Sequence, residues 1–376
     1  MTSNRIYLDG NSLGPPPPDM AERLAAVVRD EWEADLIGGW NRGWWDLPVT
    51  VGERIAPLVG AAPGQVVVAD STTVTWFKLV GAALALRPER SVVVTESGGF
   101  PTDRHVIDAL AAEVVAVDHD ALAAVIDTGT AVVALTHVDY RTGRRHDMAA
   151  VTAAAHAAGA LVLWDLSHSV GAMDLHLDAA EVDLAVGCTY KYLNGGPGSP
   201  AFAYVAARLL PNLWQPIPGW VGHADPFSMS EVHEPAAGVR RILSGTPPAL
   251  ALRALDIALD RFDGADLADL RARSLELTDR CIDRADDLGL EVVTPRAHEE
   301  RGSQVSLRHE HAWEVVQALL DVGVVGDSRP PDLIRLGFPP LYVTADDVDE
   351  ALARLAGVLR TERWRGWLDV DRPTVT

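Results

Sequence analysis

Lysine is almost missing from this chain: of 32 basic residues only Lys78 and Lys191 are lysine, and the other 30 are arginine. Arginine does nearly every job open to a plain cation, which singles out the two positions where it does not stand. Cysteine is as scarce, and Cys188 and Cys281 cannot make a disulfide framework; they read as reduced thiols of a cytoplasmic protein. Positive charge as a whole is short. The net charge of −21 sets the surface against nucleic acid and anionic membranes, so neither is an expected partner. No apolar run approaches the roughly 18 residues of a spanning helix, and the first residues carry no basic-then-apolar leader pattern. A P-loop, a G-x-S-x-G elbow and internal repeats are absent too.

What is present is ordinary globular material, 48% hydrophobic and 23% charged, and its 376 residues are enough for two domains. Residues 7 to 18 combine Asp9-Gly10-Asn11 with Pro15 to Pro18, which predicts an extended, turning arm lying across something. A helical pattern from Met20 to Glu33 follows, with Asp19 as its N-cap. Apolar runs at Val66 to Ala69, Ser91 to Thr95, Val114 to Val117, Ala131 to Leu135 and Leu161 to Trp164 then alternate with helical segments. That pattern predicts an α/β fold, a mainly parallel sheet wrapped by helices, with ligands at the C-terminal ends of its strands. One long helical stretch, about 249 to 288, leads to smaller mixed units with strands at Ser303 to Arg308 and Ile334 to Gly337 around a helix at Ala312 to Asp321.

The run from Ala160 to Ala201 carries the chemistry. Leu161 to Trp164 stops at an acid, Asp165, and the run Leu184 to Gly187 stops at Cys188-Thr189-Tyr190-Lys191 with glycines at 195, 196 and 198 just beyond. A carboxylate and an amine thus stand at two successive strand ends. Arginine cannot shed its proton, whereas a lysine can be tuned to lose one and attack a carbonyl, so Schiff-base chemistry is what a lone lysine suits. Pyridoxal 5'-phosphate (PLP) enzymes need this pair: a lysine for the aldehyde and a carboxylate for the pyridinium nitrogen.

Asp165-Leu-Ser-His-Ser-Val-Gly-Ala172 and Val186-Gly-Cys-Thr-Tyr-Lys-Tyr-Leu-Asn-Gly-Gly-Pro-Gly198 closely resemble the PLP-binding core of the kynureninases, fold-type I PLP enzymes related to class V aminotransferases. Collinear segments extend the resemblance from residue 7 to about residue 342: Tyr7 to Gly14, Phe100 to Asp103, Thr136 to Gly143, Gly219 to His223, Ser244 to Pro248 and Ile334 to Tyr342. The resemblance implies a large PLP-binding domain over residues 46–245 and a small α/β domain made of 1–45 with 246–376. It implies a homodimer with shared sites and hydrolysis of L-kynurenine, or its 3-hydroxy form, to anthranilate or 3-hydroxyanthranilate plus L-alanine, in tryptophan degradation. The alternatives are a related lyase or desulfurase of the same fold, a homologue acting on a substituted kynurenine, and a binding protein without activity.

Residue by residue, the resemblance implies that Lys191, Tyr190 and Asp165 are catalytic and also hold the cofactor, Tyr190 by bonding its phosphate. It implies that Thr72 and Thr73, at the start of a helix after Val66 to Ala69, touch the cofactor phosphate, where a helix N-terminus offers free N–H groups. The resemblance likewise implies that Phe100 stacks on the pyridine ring, that Pro101, Thr102, Asp103, Thr136 and His168 meet the cofactor, and that Trp220 and Thr246 reach phosphate or substrate, often across subunits. Arg335 sits among apolar residues, so a carboxylate partner is expected. A structural acid would serve, and the resemblance implies the substrate's α-carboxylate instead. Trp44 falls where the family walls the substrate ring. Asp139 replaces a usual Asn, Thr75-Trp76 replaces an Asn and an aliphatic residue, and Thr246 in place of an amide favours the unhydroxylated substrate. His309-Glu310-His311 and His298-Glu299-Glu300 lack a third ligand, and neighbours on a strand or loop point apart, so no metal is expected.

Overall fold

The computed structural model describes residues 5–111 and 113–372. An N-terminal arm contributes β1 (Ile6–Tyr7) and runs through its prolines into α1 (Met20–Ala26). The predicted helix to Glu33 is present, but it widens to a π-helical segment from Val27 onward. Asp19 makes no capping bond, because its carboxylate turns to Arg23, 3.5 Å away.

The main sheet is built from α2 (Leu47–Ile55), β2 (Val66–Val68), α3 (Thr72–Ala85), β3 (Val92–Glu96), α4 (Pro101–Leu110), β4 (Glu113–Val117), α5 (Leu122–Val125), β5 (Thr130–Thr136), α6 (Met148–Ala157), β6 (Leu161–Asp165), β7 (Leu184–Gly187) and β8 (Phe202–Val205). Its strand order is β2-β8-β7-β6-β5-β3-β4. The pairs from β7 through β6, β5 and β3 to β4 are parallel, and β8 runs antiparallel to both its neighbours. The sequence explains this. β6 is buried at all five positions, as a strand covered on both faces must be. Leu161 and Leu163 join one core with Trp76 and Leu79 of α3, while Val162 and Trp164 join the core on the other face with Leu252 and Leu255.

The C-terminal part starts with α7 (Ala249–Leu259) and α8 (Leu267–Asp287). The single long helix expected here is broken: Gly264 takes φ +74, and Asp266 opens the second helix by accepting bonds from the N–H groups of Ala268 and Asp269. Then come β9 (Glu291–Val292), β10 (Gln304–Arg308), α9 (Ala312–Asp321), β11 (Val324–Val325), β12 (Asp327–Arg329), β13 (Leu333–Gly337) and α10 (Ala345–Arg360). Thr344 and Asp347 close a reciprocal capping box at the start of α10. A four-stranded antiparallel sheet, β12-β13-β10-β9, packs its own core of Leu277, Val305, Val315, Ile334 and Leu352, and β1 pairs in parallel with β11. Among the described residues no helix is long and apolar enough to cross a membrane.

Candidate active site

β6 ends on Asp165 and β7 delivers Lys191, and both line one cavity of about 500 Å³ at the C-terminal ends of the parallel strands. Past β7 the chain curls back. Gly195 N–H donates to Thr189 O (2.9 Å) and Asn194 N–H to Lys191 O (3.0 Å), so the lysine sits in a closed loop. The N-terminal arm lies across this loop: Gly14 N–H donates to Tyr190 O at 2.8 Å, and Asn194 Nδ2 to Pro15 O at 2.9 Å. A Cβ at Gly14 would stand 2.2 Å from Lys191 O, so only glycine permits that approach.

Asp165 Oδ1 accepts the Ser167 N–H at 2.8 Å. Burial raises its carboxyl above the ordinary value, against the Ser167 hydrogen bonds and the charge of Lys191. A buried acid of this kind is short of positive charge, which a protonated ring nitrogen would supply. Asp103 lines the same cavity and is pushed well above its ordinary value by burial and then by Asp165, with Lys191 and Thr136 opposing. Thr136 Oγ1 donates to Asp103 Oδ2 at 3.4 Å. Tyr190 also lines the cavity, and burial raises its hydroxyl, which therefore keeps its proton at neutral pH.

The start of α3 presents the donors that could seat an anion. Ser71 caps the helix, its Oγ accepting from Val74 N at 3.4 Å and its carbonyl from Thr75 N at 2.9 Å. Thr72 and Thr73 come next and line the cavity, where the first N–H groups of a helix have no partner within it. The other lysine serves this seat. Lys78, fully buried, bonds Asp70 Oδ2 at 2.6 Å and Ile242 O at 2.8 Å, joining α3 to the segment that carries Thr246 into the cavity. Burial lowers its amine and Asp70 opposes that. Lys78→Met should leave the partly exposed Asp70 carboxylate without its partner beside the seat and weaken PLP binding by about 10-fold or more, with a stability loss of about 1–3 kcal/mol. Equilibrium dialysis and thermal unfolding measure the two; unchanged affinity in folded protein would refute the role.

Phe100, 45% exposed, stands at the cavity with its ring edge-on to Tyr140 at 5.4 Å. Thr102, Thr136, His168 and Thr246 line the cavity as well, whereas Pro101 begins α4 and faces an adjoining recess. Three of the expected site residues do not line this chain's cavity. Trp44 is buried in the large core, donates Nε1–H to Glu31 at 2.7 Å and faces an adjoining apolar recess with Trp32 and Trp40 that shares Pro248 with the cavity. Trp220 is 40% exposed and packs on Trp45 and Phe227, away from this chain's cavity, because its short turn leads outward. Arg335 does not line the cavity either, and its carboxylate partner is structural. Nε donates to Asp327 Oδ1 at 2.8 Å, Nη2 to Asp327 Oδ2 and to Ser12 Oγ (2.7 Å), and Nη1 to Tyr140 O (2.6 Å).

The altered positions find local explanations. Asp139 Oδ1 accepts from Arg141 N, Thr142 N and Thr142 Oγ1, an acceptor's task that Asp performs as Asn does. Trp76 Nε1–H donates to Asp103 O at 3.2 Å, and Thr75 Oγ1 to Ala69 O at 3.1 Å.

Sequence reasoning missed Tyr140 and Ser199, which line the cavity, and Gln304, which stands behind His168. Tyr140 lies inside a segment of recognised resemblance; Gln304 carried no signal. It also missed Glu96, His119 and His146, whose ligand-type atoms converge. The two imidazoles stack at 4.0 Å with planes 17° apart, so their lone pairs lie in parallel planes and do not aim at a common point between them. They serve Glu96 instead: His146 Nε2 lies 2.6 Å and His119 Nδ1 3.4 Å from its oxygens. Burial alone would raise Glu96, but those hydrogen bonds hold it down at about 2. A depressed carboxyl contributes stability present above its unfolded value and lost as pH falls through the folded one. Wild type should therefore lose stability between about pH 4.5 and 2 more steeply than Glu96→Gln, as acid titration followed by circular dichroism would record.

With this geometry in place, relatives can be compared. A family model described as the kynureninase C-terminal domain matches residues 270–355. The kynureninase of Deinococcus radiodurans is 49% identical, over 94% of this chain and 90% of its own length. The chain belongs to the kynureninase family. The kynureninase of Pseudomonas fluorescens is 45% identical, over 96% of this chain and 90% of its own. Among solved structures, an apo cysteine desulfurase from Thermococcus onnurineus NA1 superposes with a TM-score of 0.80 at 16% identity, each chain 95% covered. An alanine–glyoxylate aminotransferase from Nostoc superposes at 0.73 and 19%, each chain 96% covered. At such identities these two establish the fold alone: the chain has the fold-type I architecture of PLP enzymes.

Proposed function

We propose that this protein hydrolyses L-kynurenine to anthranilate and L-alanine, with PLP held on Lys191. The observation that carries the reading is one cavity lined by a lysine amine and a buried carboxylate from neighbouring strand ends, with the N-terminus of α3 on the same wall. When bound, PLP supplies the electron sink for bond breaking at the substrate's carbons. The chain supplies the rest. Asp165 would keep the proton on the ring nitrogen, Thr72 and Thr73 would hold the phosphate, Phe100 would cover a ring face, and Thr102, Thr136 and His168 would meet the ring's edge. Lys191, once its amine is free, takes the substrate's α proton, and Tyr190 acts as a proton donor beside the carbonyl that water attacks.

Arg335 remains our anchor for the substrate carboxylate. With its Nε edge held by Asp327, the carboxylate takes the Nη1 edge in place of the Tyr140 carbonyl. A homodimer belongs to the same reading: Trp214, Trp220, Phe227 and Met229 are exposed on one stretch, and a second copy would cover them and receive Trp220 at its own phosphate. We divide the chain into 46–245 and 1–45 with 246–376, and place it in the cytoplasm. A desulfurase would need an accessible carrier thiol, and both cysteines are buried. The test is fluorescence of anthranilate when PLP-loaded protein meets L-kynurenine, with 3-hydroxykynurenine in parallel. Thr246 in the cavity favours faster turnover of the unhydroxylated substrate; absence of product from either would refute the function.

A further inference from the structure

Behind Lys191 lies a hydrogen-bonded line that crosses from the main sheet to the C-terminal one. Lys191 Nζ is 2.9 Å from His168 Nε2, and His168 Nδ1 is 2.9 Å from Gln304 Oε1. Gln304 stands on β10, 136 residues from His168 in sequence, and is fully buried. Its amide nitrogen faces two backbone carbonyls, Tyr140 O at 3.0 Å and Asp139 O at 3.4 Å. Carbonyls only accept, so the NH₂ end of the amide must point at them and the oxygen must point at His168. The oxygen in turn only accepts, so Nδ1 of His168 carries a hydrogen. The imidazole is also held neutral, well below its ordinary range, by burial and by the charges of Lys191 and Arg335. Its Nε2 is therefore bare.

The surroundings keep Gln304 in place. Gly143 turns beside it with φ +74, and a Cβ there would stand 2.9 Å from Gln304 Cγ. Arg335 Nη1 binds the same Tyr140 carbonyl that Gln304 does.

We infer that Gln304 is a positioning residue for Lys191: it locks His168 in the Nδ1–H form, so that Nε2 accepts a hydrogen from the lysine amine. An amine whose hydrogen is engaged behind it keeps its lone pair for the cavity. In the opposite tautomer Nε2–H would donate to that lone pair and tie up the nucleophile. The orientation of the reactive amine is thus set by a side chain of the C-terminal sheet.

The inference rests on reading Lys191 as the reactive amine, but its test uses PLP-free protein, so its failure leaves the proposed function standing. Nitrogen-15 NMR of histidine-labelled protein reports the tautomer, with the His168 signal assigned by its loss in His168→Phe. Reductive methylation at alkaline pH, read by peptide mass, reports the freedom of the Lys191 lone pair; Lys78, on a different peptide, is buried in its ion pair. Wild type should show Nδ1–H. Gln304→Leu should populate Nε2–H and slow methylation of Lys191 by about 3- to 10-fold, the effect of one ordinary hydrogen bond. An Nε2–H signal in wild type would overturn the inference, as would a folded Gln304→Leu unchanged in both measurements. If Gln304→Leu does not fold, the tautomer in wild type decides alone.

Discussion

Lys191→Ala should lose turnover and, with it, the covalent hold on PLP. The proton-transfer role alone is worth about 10²–10⁴-fold in rate, and loss of the attachment point adds to that. The scarcity of lysine makes the experiment unusually clean. Only one other lysine exists, and it is fully buried in a 2.6 Å pair with Asp70, so no other lysine amine stands in the cavity. After borohydride reduction of PLP-loaded protein, wild type should gain the cofactor's mass on the Lys191 peptide and the variant should gain none. Lys191→Arg should fail equally, because a guanidinium keeps its proton and cannot attack an aldehyde. A borohydride-fixed cofactor in Lys191→Ala would refute the assignment.

The second large effect is expected at Asp165. Asp165→Asn preserves the shape and removes the charge that, in the proposed function, would keep a proton on the ring nitrogen, for an expected loss of about 10²–10³-fold in kcat. Stability should move differently. A carboxyl whose value is raised by burial contributes stability that is full below its unfolded value and lost as pH rises through the folded one. At pH 7 the native Asp165 therefore costs stability, and PLP-free Asp165→Asn should melt no lower than wild type. Rate and melting measured together separate a chemical role from a structural one. A variant within 10-fold of wild-type kcat would show that the ring nitrogen needs no charged partner here.

Much of this site was legible because its parts lie close together in the chain and at points where a pattern changes. Asp165 and Lys191 both end apolar runs within one stretch of the chain, and Thr72 and Thr73 start a helix straight after a strand. Strand ends and helix starts are local events, set by burial periodicity and capping. The extended arm was legible for the same reason, since prolines forbid helix wherever they fold.

The remaining features depended on which distant surfaces meet. That Arg335 would need a carboxylate followed from its apolar neighbours; that Asp327 would supply it followed only from the pairing of β12 with β13. Trp44 and Trp220 carry the same ring, yet one is drawn into the core and the other is left exposed, and nothing in their own segments distinguishes those outcomes. Glu96, His119 and His146 come from three separate elements and meet only where the strand ends crowd together.

By itself the sequence determined the reaction class: a chain almost without lysine places one at a strand end, one strand away from an acid, inside segments that mark a family. Tertiary structure alone decided how that lysine is held. Lys78 meets Ile242 across 164 residues within one core, and His168 meets Gln304 across 136 where the main-sheet part packs on the C-terminal sheet. Backbone patterns are local, whereas the partner of a buried polar group is whichever group the folded cores bring within 3 Å of it, and no stretch of sequence contains that information.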